Sequence, residues 1–376
     1  MAQAVLMISS DRTILLNESV AGARMRAYAE AFGELHIVVF SCGGTREVIE
    51  LSPRCRVYPT GSRARIAYIA DAISIGRDII RLCIERGTKT IITTQDPFEA
   101  GLVGLIISKM GTRASLDVQI HTDFLSPFFA QLSWLNRLRV CIARCVLPYA
   151  TSIRVVSNRV KDSLKNDRRY TRLIDRVSVL PIYAPIMPAP LSTSRLFPRF
   201  EKVILMTTRL EPEKDIVTAL SAFARAEKSV RNAGLIIAGK GSEEVALTGY
   251  ARTLGIADRV MYLGWKEPAD LALIRASSDL FLSTSLYEGY GLALVEAAAS
   301  GLPIVSTDAG VAKDLLDEHL LVRPGDVDRL ATTLIDALHH PDTYRVSQDR
   351  IDALTYPSFE TYVVRLAESL GIEHSR

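Results

Sequence analysis

Two carboxylates, Glu288 and Glu296, stand with seven residues between them in the stretch 280–308, LFLSTSLYEGYGLALVEAAASGLPIVSTD. Residues 280–282 have the make-up of a buried parallel strand. A loop at 285–290 follows, with Gly289 and Gly291 flanking Tyr290. The spacing then predicts a small-residue helix over 292–299, beginning at Leu292. Gly301 can cap it in a left-handed conformation, and Pro303 prevents its continuing. A strand at 304–307 closes a βαβ unit. Glycines in the loop let backbone N–H groups approach a ligand, and a helix N-terminus favours an anion. A carboxylate cannot neutralise a phosphate, so both glutamates are expected to accept hydrogen bonds from hydroxyls. N–H groups for phosphate and carboxylates for hydroxyls suit a sugar nucleotide.

Two cations, Arg209 and Lys214, lie five residues apart in 207–215, TTRLEPEKD, just after a predicted strand. In an open parallel sheet ligands bind outside the carboxyl ends of the strands. Across a turn there, Arg as a fork and Lys as a point charge can hold a diphosphate. The competing reading is a surface ion pair with Glu211 or Glu213. A Gly-rich turn, Gly239-Lys240-Gly241, ends another predicted strand and is as readily structural as functional. His121 and Asp123 close a further strand in QIHTD, again at its carboxyl end.

These residues need a scaffold that brings strand ends together. Apolar strands are predicted at 5–9, 35–40, 56–59, 90–94, 115–121, 152–156 and 177–181. Helical stretches fall at 20–32, 63–84, 97–110 and 129–146, and after the Ser157-Asn158 cap. Such alternation implies βαβ units and a parallel sheet. Pro181, Pro185, Pro188, Pro190 and Pro198 then interrupt the pattern and read as a hinge over 185–200. A second alternation has strands at 203–206, 235–238, 260–263, 280–282 and 304–305, with a further strand at 319–322 and a last helix at 359–370. The expectation is two doubly wound Rossmann-like domains, 1–184 and 201–356, with 357–376 a terminal segment.

Glu288-Gly289-Tyr290-Gly291-Leu292, Glu296 and Ser300-Gly301-Leu302-Pro303 resemble the retaining glycosyltransferases of family 4, which have the GT-B fold. Residues 207–215 are similar to that family's Gly-Arg-Leu…Pro-x-Lys-Gly signature, with Thr208 and Asp215 at the two glycine positions. The resemblance implies two α/β domains facing across a cleft, the last helix crossing back to the first domain. It implies transfer of a hexose from a nucleoside diphosphate sugar (UDP or GDP) to a glycan or lipid-linked acceptor, as in polysaccharide or glycolipid synthesis. Arg209, Lys214, Glu288 and His121 would be catalytic, and Asp123 would orient His121 or bind the acceptor. Gly239, Lys240, Gly241, Trp265, Gly289, Tyr290, Gly291, Leu292, Glu296 and Gly22 would contact the donor. No cofactor and no metal would be needed, since the two cations stand in for a divalent ion. The sequence departs from the family at Ser19-Val20-Ala21-Gly22, where adjacent glycines are usual, and at Val311. A nucleotide-sugar epimerase of the same fold, or a non-catalytic sugar-binding or nucleotide-binding module, are the alternatives.

Composition sets the frame. At 376 residues, two domains are the prior. No apolar run is long enough for a membrane span, and the start lacks a basic leader. Five cysteines in no dense pattern suggest a reducing, cytoplasmic setting. Cys141 and Cys145 are expected to be core thiols rather than metal ligands. Residues 1–190 hold 25 Lys+Arg against 16 Asp+Glu, whereas the remainder holds 20 against 26. Ten of the cations fall in 131–172, preceded by Phe124, Phe128 and Phe129 and joined by Trp134. A basic face edged by aromatics suits an anionic membrane surface. With no nucleic-acid motif, nucleic acid is not expected.

Overall fold

The computed structural model describes residues 3–16, 18–110, 114–187 and 195–372. Its first sheet has eight strands: Gln3–Ser9 (β1), Glu34–Val39 (β2), Ile49–Ser52 (β3), Cys55–Pro59 (β4), Lys89–Thr94 (β5), Ser115–Ile120 (β6), Ser152–Val155 (β7) and Val177–Val179 (β8). The second has five: Lys202–Thr207 (β9), Ala233–Ala238 (β10), Val260–Gly264 (β11), Leu280–Ser283 (β12) and Ile304–Ser306 (β13). Their orders are β3-β4-β2-β1-β5-β6-β7-β8 and β11-β10-β9-β12-β13. All pairs are parallel except β3 with β4. Central strands such as β1 are apolar along their length because helices cover both faces; Val5, Leu6 and Ile8 are fully buried.

The strand order places the functional residues. In the first sheet the chain leaves β1 to one side for β2 and to the other for β5. In the second it leaves β9 for β10 on one side and reaches β12 on the other. Ligands in such sheets bind at these switch points, where loops diverge and leave a crevice. The loops after β9 and β12 carry Arg209, Lys214 and Glu288.

Several local expectations change. The helix expected over 129–146 is two, Pro127–Leu132 and Trp134–Val146. Ser133 between them is extended (φ −159°), and its hydroxyl accepts from the Asn136 N–H to start the second. The strand expected at 319–322 is a 3-10 turn, Glu318–Leu320, with only Val322 bridging to Thr307. The 63–84 helix begins at Tyr68. Pro97 precedes the helix Glu99–Lys109, whose first N–H groups are taken by the Asp96 carboxylate. The hinge reading 185–200 falls partly on 188–194, outside the described residues. Beyond them, Phe197 and Phe200 are buried with the second sheet, Phe200 lying over Gly234 of β10. The last helix, Phe359–Ser369, buries Tyr362, Val363 and Leu366 against Val5, Met25 and Tyr28 of the first sheet's layer.

The loop after β9 turns into its helix, Ile216–Ala226, through Asp215, a non-glycine residue at φ 46°. Its carboxylate caps the helix, accepting from the Thr218 N–H at 3.4 Å. Asp tolerates the left-handed region better than most residues, so one side chain supplies both the turn and the cap. Asp215→Gly should therefore stay within about 1 kcal/mol of wild type, while Asp215→Ala should lose about 1–3 kcal/mol, having neither cap nor backbone freedom. Denaturant unfolding of the two variants side by side checks this; an Ala variant as stable as the Gly variant would refute it.

Candidate active site

At the β9/β12 switch point the Lys214 ammonium meets the Glu288 carboxylate. The Ser285 hydroxyl donates to the same Glu288 oxygen at 3.0 Å. Backbone ties hold the two loops together: the Thr284 hydroxyl donates to the Lys214 carbonyl at 2.8 Å, and the Leu286 N–H to the Glu213 carbonyl at 2.9 Å. Lys214 is only 12% exposed, so its charge and that of Glu288 compensate one another. Arg209 differs. It is 68% exposed and paired with Glu213 at 2.5 Å. Exposed pairs of this kind contribute about 0–1 kcal/mol, so an incoming phosphate can replace Glu213 at little cost. The competing ion-pair reading is thus realised with Glu213, while Glu211 accepts from the Ser242 hydroxyl and N–H. Arg209, Lys214, Glu288, Gly291 and Leu292 line one cavity of about 480 Å³. Gly291, at φ 95°, precedes the helix Leu292–Ala299 and offers no side chain to its first N–H groups.

The remaining donor-contact expectations divide. Gly239 and Gly241 serve backbone packing: a Cβ on Gly239 would sit 1.7 Å from the Thr208 carbonyl, and one on Gly241 2.2 Å from the Leu210 carbonyl. Gly239 donates to the Gly264 carbonyl, and Lys240 accepts from the Leu210 N–H. Trp265 is an exposed side chain outside the cavity wall. Tyr290 does not present its ring to a ligand; it is buried in the second core, and its hydroxyl donates to the Leu354 carbonyl at 2.7 Å. Gly289 packs on the opposite domain, where a Cβ would lie 1.9 Å from the His121 carbonyl. Gly22 is buried and gives its N–H to the Ser19 hydroxyl, so that N–H is not open to a phosphate. Glu296 is not free either. Its carboxylate accepts from Arg275 at 3.0 Å, and Arg275 is 4% exposed. Burial raises the Glu296 pKa while Arg275 opposes the rise.

Across the cleft, His121 ends β6. Its Nε2 lies 3.0 Å from Gln119 Oε1. That oxygen also accepts from Arg154, and the Gln119 amide nitrogen donates to Thr93, which donates to Asp117. Nε2 must therefore carry the proton, leaving Nδ1 as an acceptor. Burial, aided by Arg154 and Arg24, pushes the imidazole down to about 3, so His121 is neutral near pH 7. Asp123 neither orients His121 nor faces the cleft. It is buried, pairs with Arg159 at 3.7 Å, and Arg159 reaches on to Asp308 of the second domain. A cleft cavity of about 390 Å³ joins His121 and Thr122 to Arg209, Lys214 and Glu288. Among the described residues, no cluster of His, Cys, Asp and Glu has the form of a metal site.

Sequence reasoning missed Arg275 and Asp96, and it counted Arg154, which is buried, with the basic surface stretch. Arg275 stands alone as a charge in the run LALIRA, which marks a buried cation seeking a partner. Arg154 lies in the strand SIRV in the same way. Asp96 follows β5 at the other switch point, where burial pushes its carboxyl up to about 6.

A model of the family "Glycosyl transferases group 1" matches residues 192–351. Among curated relatives, N-acetyl-alpha-D-glucosaminyl L-malate synthase of Bacillus anthracis is 29% identical over 164 residues, covering 43% of this chain and 42% of that protein. Alpha-monoglucosyldiacylglycerol synthase of Streptococcus pneumoniae is 32% identical over 140 residues, covering 37% and 32%. The chain thus spans less than half the length of these relatives. Among solved structures, sucrose-phosphate synthase of Thermosynechococcus elongatus superposes with a TM-score of 0.75 at 20% identity, over 97% of this chain and 98% of that one. Anabaena HepE, in complex with UDP and glucose, gives 0.70 at 18%, over 98% and 99%. Both domains and their facing arrangement are those of the GT-B fold. Residues 192–351 match the glycosyl transferases group 1 family, and they are carried in a chain of GT-B fold.

Proposed function

We propose that the protein is a glycosyltransferase, a hexosyltransferase moving a sugar with retention of configuration from a nucleoside diphosphate sugar to a glycan or lipid-linked acceptor. The observation that carries this reading is the grouping of Arg209, Lys214 and Glu288 around one cavity that continues into the cleft facing His121. Relatives named as synthases of a glucosaminyl and a glucosyl product support it, as does a fold neighbour solved with UDP and glucose. The diphosphate lies between Arg209 and Lys214. As the bond from the anomeric carbon to the phosphate oxygen breaks, the two cations take up the charge on the departing diphosphate, the part a divalent ion would otherwise play. The acceptor hydroxyl forms the new bond to that carbon on the same face, and its proton passes to the leaving phosphate oxygen. The products are the glycoside and the nucleoside diphosphate. Glu288 faces the positive character that develops on the sugar ring. His121, neutral, offers Nδ1 to a sugar hydroxyl, and Glu296 has one oxygen left for the ribose.

The acceptor is reached from a membrane surface. The helix Trp134–Val146 exposes Trp134 (76%), Leu138, Cys141 and Cys145 at helical spacing, flanked by Arg137 and Arg144. Cys141 and Cys145 are therefore surface thiols and not core ones. The basic stretch is not one face, however. Arg139 pairs with Glu99, Arg154 is buried, and Arg159 bridges the domains. Phe124 and Phe129 are core. Among the described residues no helix is long and apolar enough to cross a membrane.

Arg209→Ala should slow transfer by about a hundredfold, the scale of losing one preorganised donor to developing charge, and EDTA should leave wild-type activity intact. A panel of nucleotide sugars with released diphosphate as the readout tests this. Turnover within a few-fold of wild type would remove Arg209 from the site, and sugar epimerisation without acceptor would replace transfer with the other chemistry.

The glutamates need different substitutions. Glu296→Ala would strand the buried Arg275, a loss of about 3–5 kcal/mol that hides any effect on binding. Glu296→Gln keeps a hydrogen-bond acceptor for Arg275 and should mainly raise the donor KM, because ribose is unchanged in the transition state. Glu288→Gln should mainly lower kcat. Calorimetry with nucleoside diphosphate beside steady-state kinetics separates the two, and a Glu288→Gln variant that loses nucleotide binding while keeping kcat contradicts the assignment.

Sedimentation with anionic vesicles should show binding that falls as salt rises through about 0.1 M, where screening acts over about 10 Å. Trp134→Ser should weaken it. Absence of vesicle binding at low salt would leave the acceptor a soluble molecule.

A further inference from the structure

The first sheet has its own switch-point cavity. It measures about 340 Å³ and lies at the carboxyl ends of β1, β5 and β6, with Asp11, Arg24, Asp96, His121, Arg154 and Tyr362 in its wall. It shares His121 and Thr122 with the cleft cavity that holds Arg209, Lys214 and Glu288. A molecule in it would therefore abut the reacting end of the donor across one histidine.

Arg154 is the anomaly. It is 3% exposed. One terminal nitrogen donates to Gln119 Oε1 at 3.3 Å and the other to the Tyr362 hydroxyl at 3.4 Å, both neutral and both long. Its Nε is buried with no partner. Among the described residues no carboxylate lies within ion-pair distance of it. Its counter-charge is the buried Asp117 on the neighbouring strand, which acts on it without contact because its oxygens are taken by Thr93 and Ser152. A buried cation with no acid in contact is costly, and a bound anion would supply that contact. A second cation, Arg24, is on the same wall, half-exposed, its nearest acid Asp11 at 3.6 Å. Asp96 is also there, one oxygen held by the N–H groups of Phe98 and Ala100.

We propose that this cavity receives an acceptor bearing an anionic group, a carboxylate or a phosphate monoester, which Arg154 and Arg24 hold while Asp96 accepts from a hydroxyl of the same molecule. The proposal rests on the sugar-transfer reading, which places an acceptor beside His121. Donor diphosphate is already provided for across the cleft by Arg209 and Lys214, so these cations serve a different anion. The phosphate and carboxylate sources share this chemistry and differ in reach and charge.

The test is thermal unfolding of the full chain with four probes: glucose 6-phosphate, inorganic phosphate, glucuronate and neutral glucose. A molecule that binds only the native state raises the melting temperature. At least one anionic probe should raise it at a concentration where glucose does not. A phosphate response without a glucuronate response assigns the monoester, and the reverse assigns the carboxylate. Arg24→Gln should weaken the response about tenfold, the scale of a charge-assisted hydrogen bond. Arg154→Gln should abolish it while leaving the unliganded protein as stable or more so, because a buried charge with no ion pair in contact is gone; a purely structural arginine would lower stability instead. Neither change should alter protection by UDP, GDP or ADP. Three results overturn the proposal: glucose protecting as well as the anions, no anionic probe protecting, or protection by nucleoside diphosphate falling in both variants. Anion protection without any nucleotide binding would overturn the transfer reading instead, leaving the anion site in place.

Discussion

The close approach of Gly289 to His121 is the constraint on which the cleft depends. The loop after β12 meets the end of β6 with no room for a side chain between them. The Ser157 hydroxyl donates to the Gly289 carbonyl at 2.7 Å in the same buried contact, while capping the helix Asn158–Asn166. One loop of the second domain is thus clasped by two strand ends of the first. Glu288 precedes the clasp and Gly291 follows it. The same contact that joins the domains therefore fixes the carboxylate and the helix start on one side of the cleft against the imidazole on the other. Gly310, at φ 57°, completes the support: a Cβ there would strike the Tyr290 carbonyl at 2.2 Å, which also accepts from the Val311 N–H at 2.8 Å.

Charge is distributed around this clasp by degree of burial. Arg209 is exposed and weakly committed to Glu213, so it is available to a ligand. Lys214 is nearly buried and keeps Glu288 as a counter-charge, which also holds that carboxylate in place. Arg275 and Glu296 are a partly buried pair whose first function is mutual compensation. The gradient matters because an interaction screened by water is easily exchanged, whereas a desolvated pair is costly to break. A ligand entering the cleft should accordingly reorganise the Arg209 side and leave the Glu296 side in place.

The fold was legible in the sequence where one residue type had one physical reason to be there. The helix Leu292–Ala299, its Gly301 end at φ 74° and the strand alternation of both sheets follow from local rules. Arg209, Lys214 and Glu288 were legible because they sit at strand ends. What failed depended on tertiary partners. Tyr290 reads as a loop residue, yet Leu354, sixty-four positions on, supplies its acceptor and the core takes its ring. Asp123 reads as a strand-end acid, but Arg159 and Asp308 draw it into the domain junction. Glu296 could not be seen as one half of a pair because Arg275 lies on another helix. Asp215 shows the opposite case: a departure from the family's glycine that keeps the left-handed turn and adds a cap.

The terminal helix connects these observations. It carries Tyr362, whose hydroxyl accepts from Arg154, and it is reached through Tyr356, whose hydroxyl donates to the Pro181 carbonyl. Tyr28 and Tyr183 pack around Phe359 and Tyr362, so this segment is bound to the first domain by aromatic contacts. It follows the second domain in the chain, and it also forms part of the wall at the β1/β5 switch point. The cavity wall and the connection to the second domain therefore share Tyr362. A helix that covers one face of the first sheet is in this way also a part of the wall at its switch point.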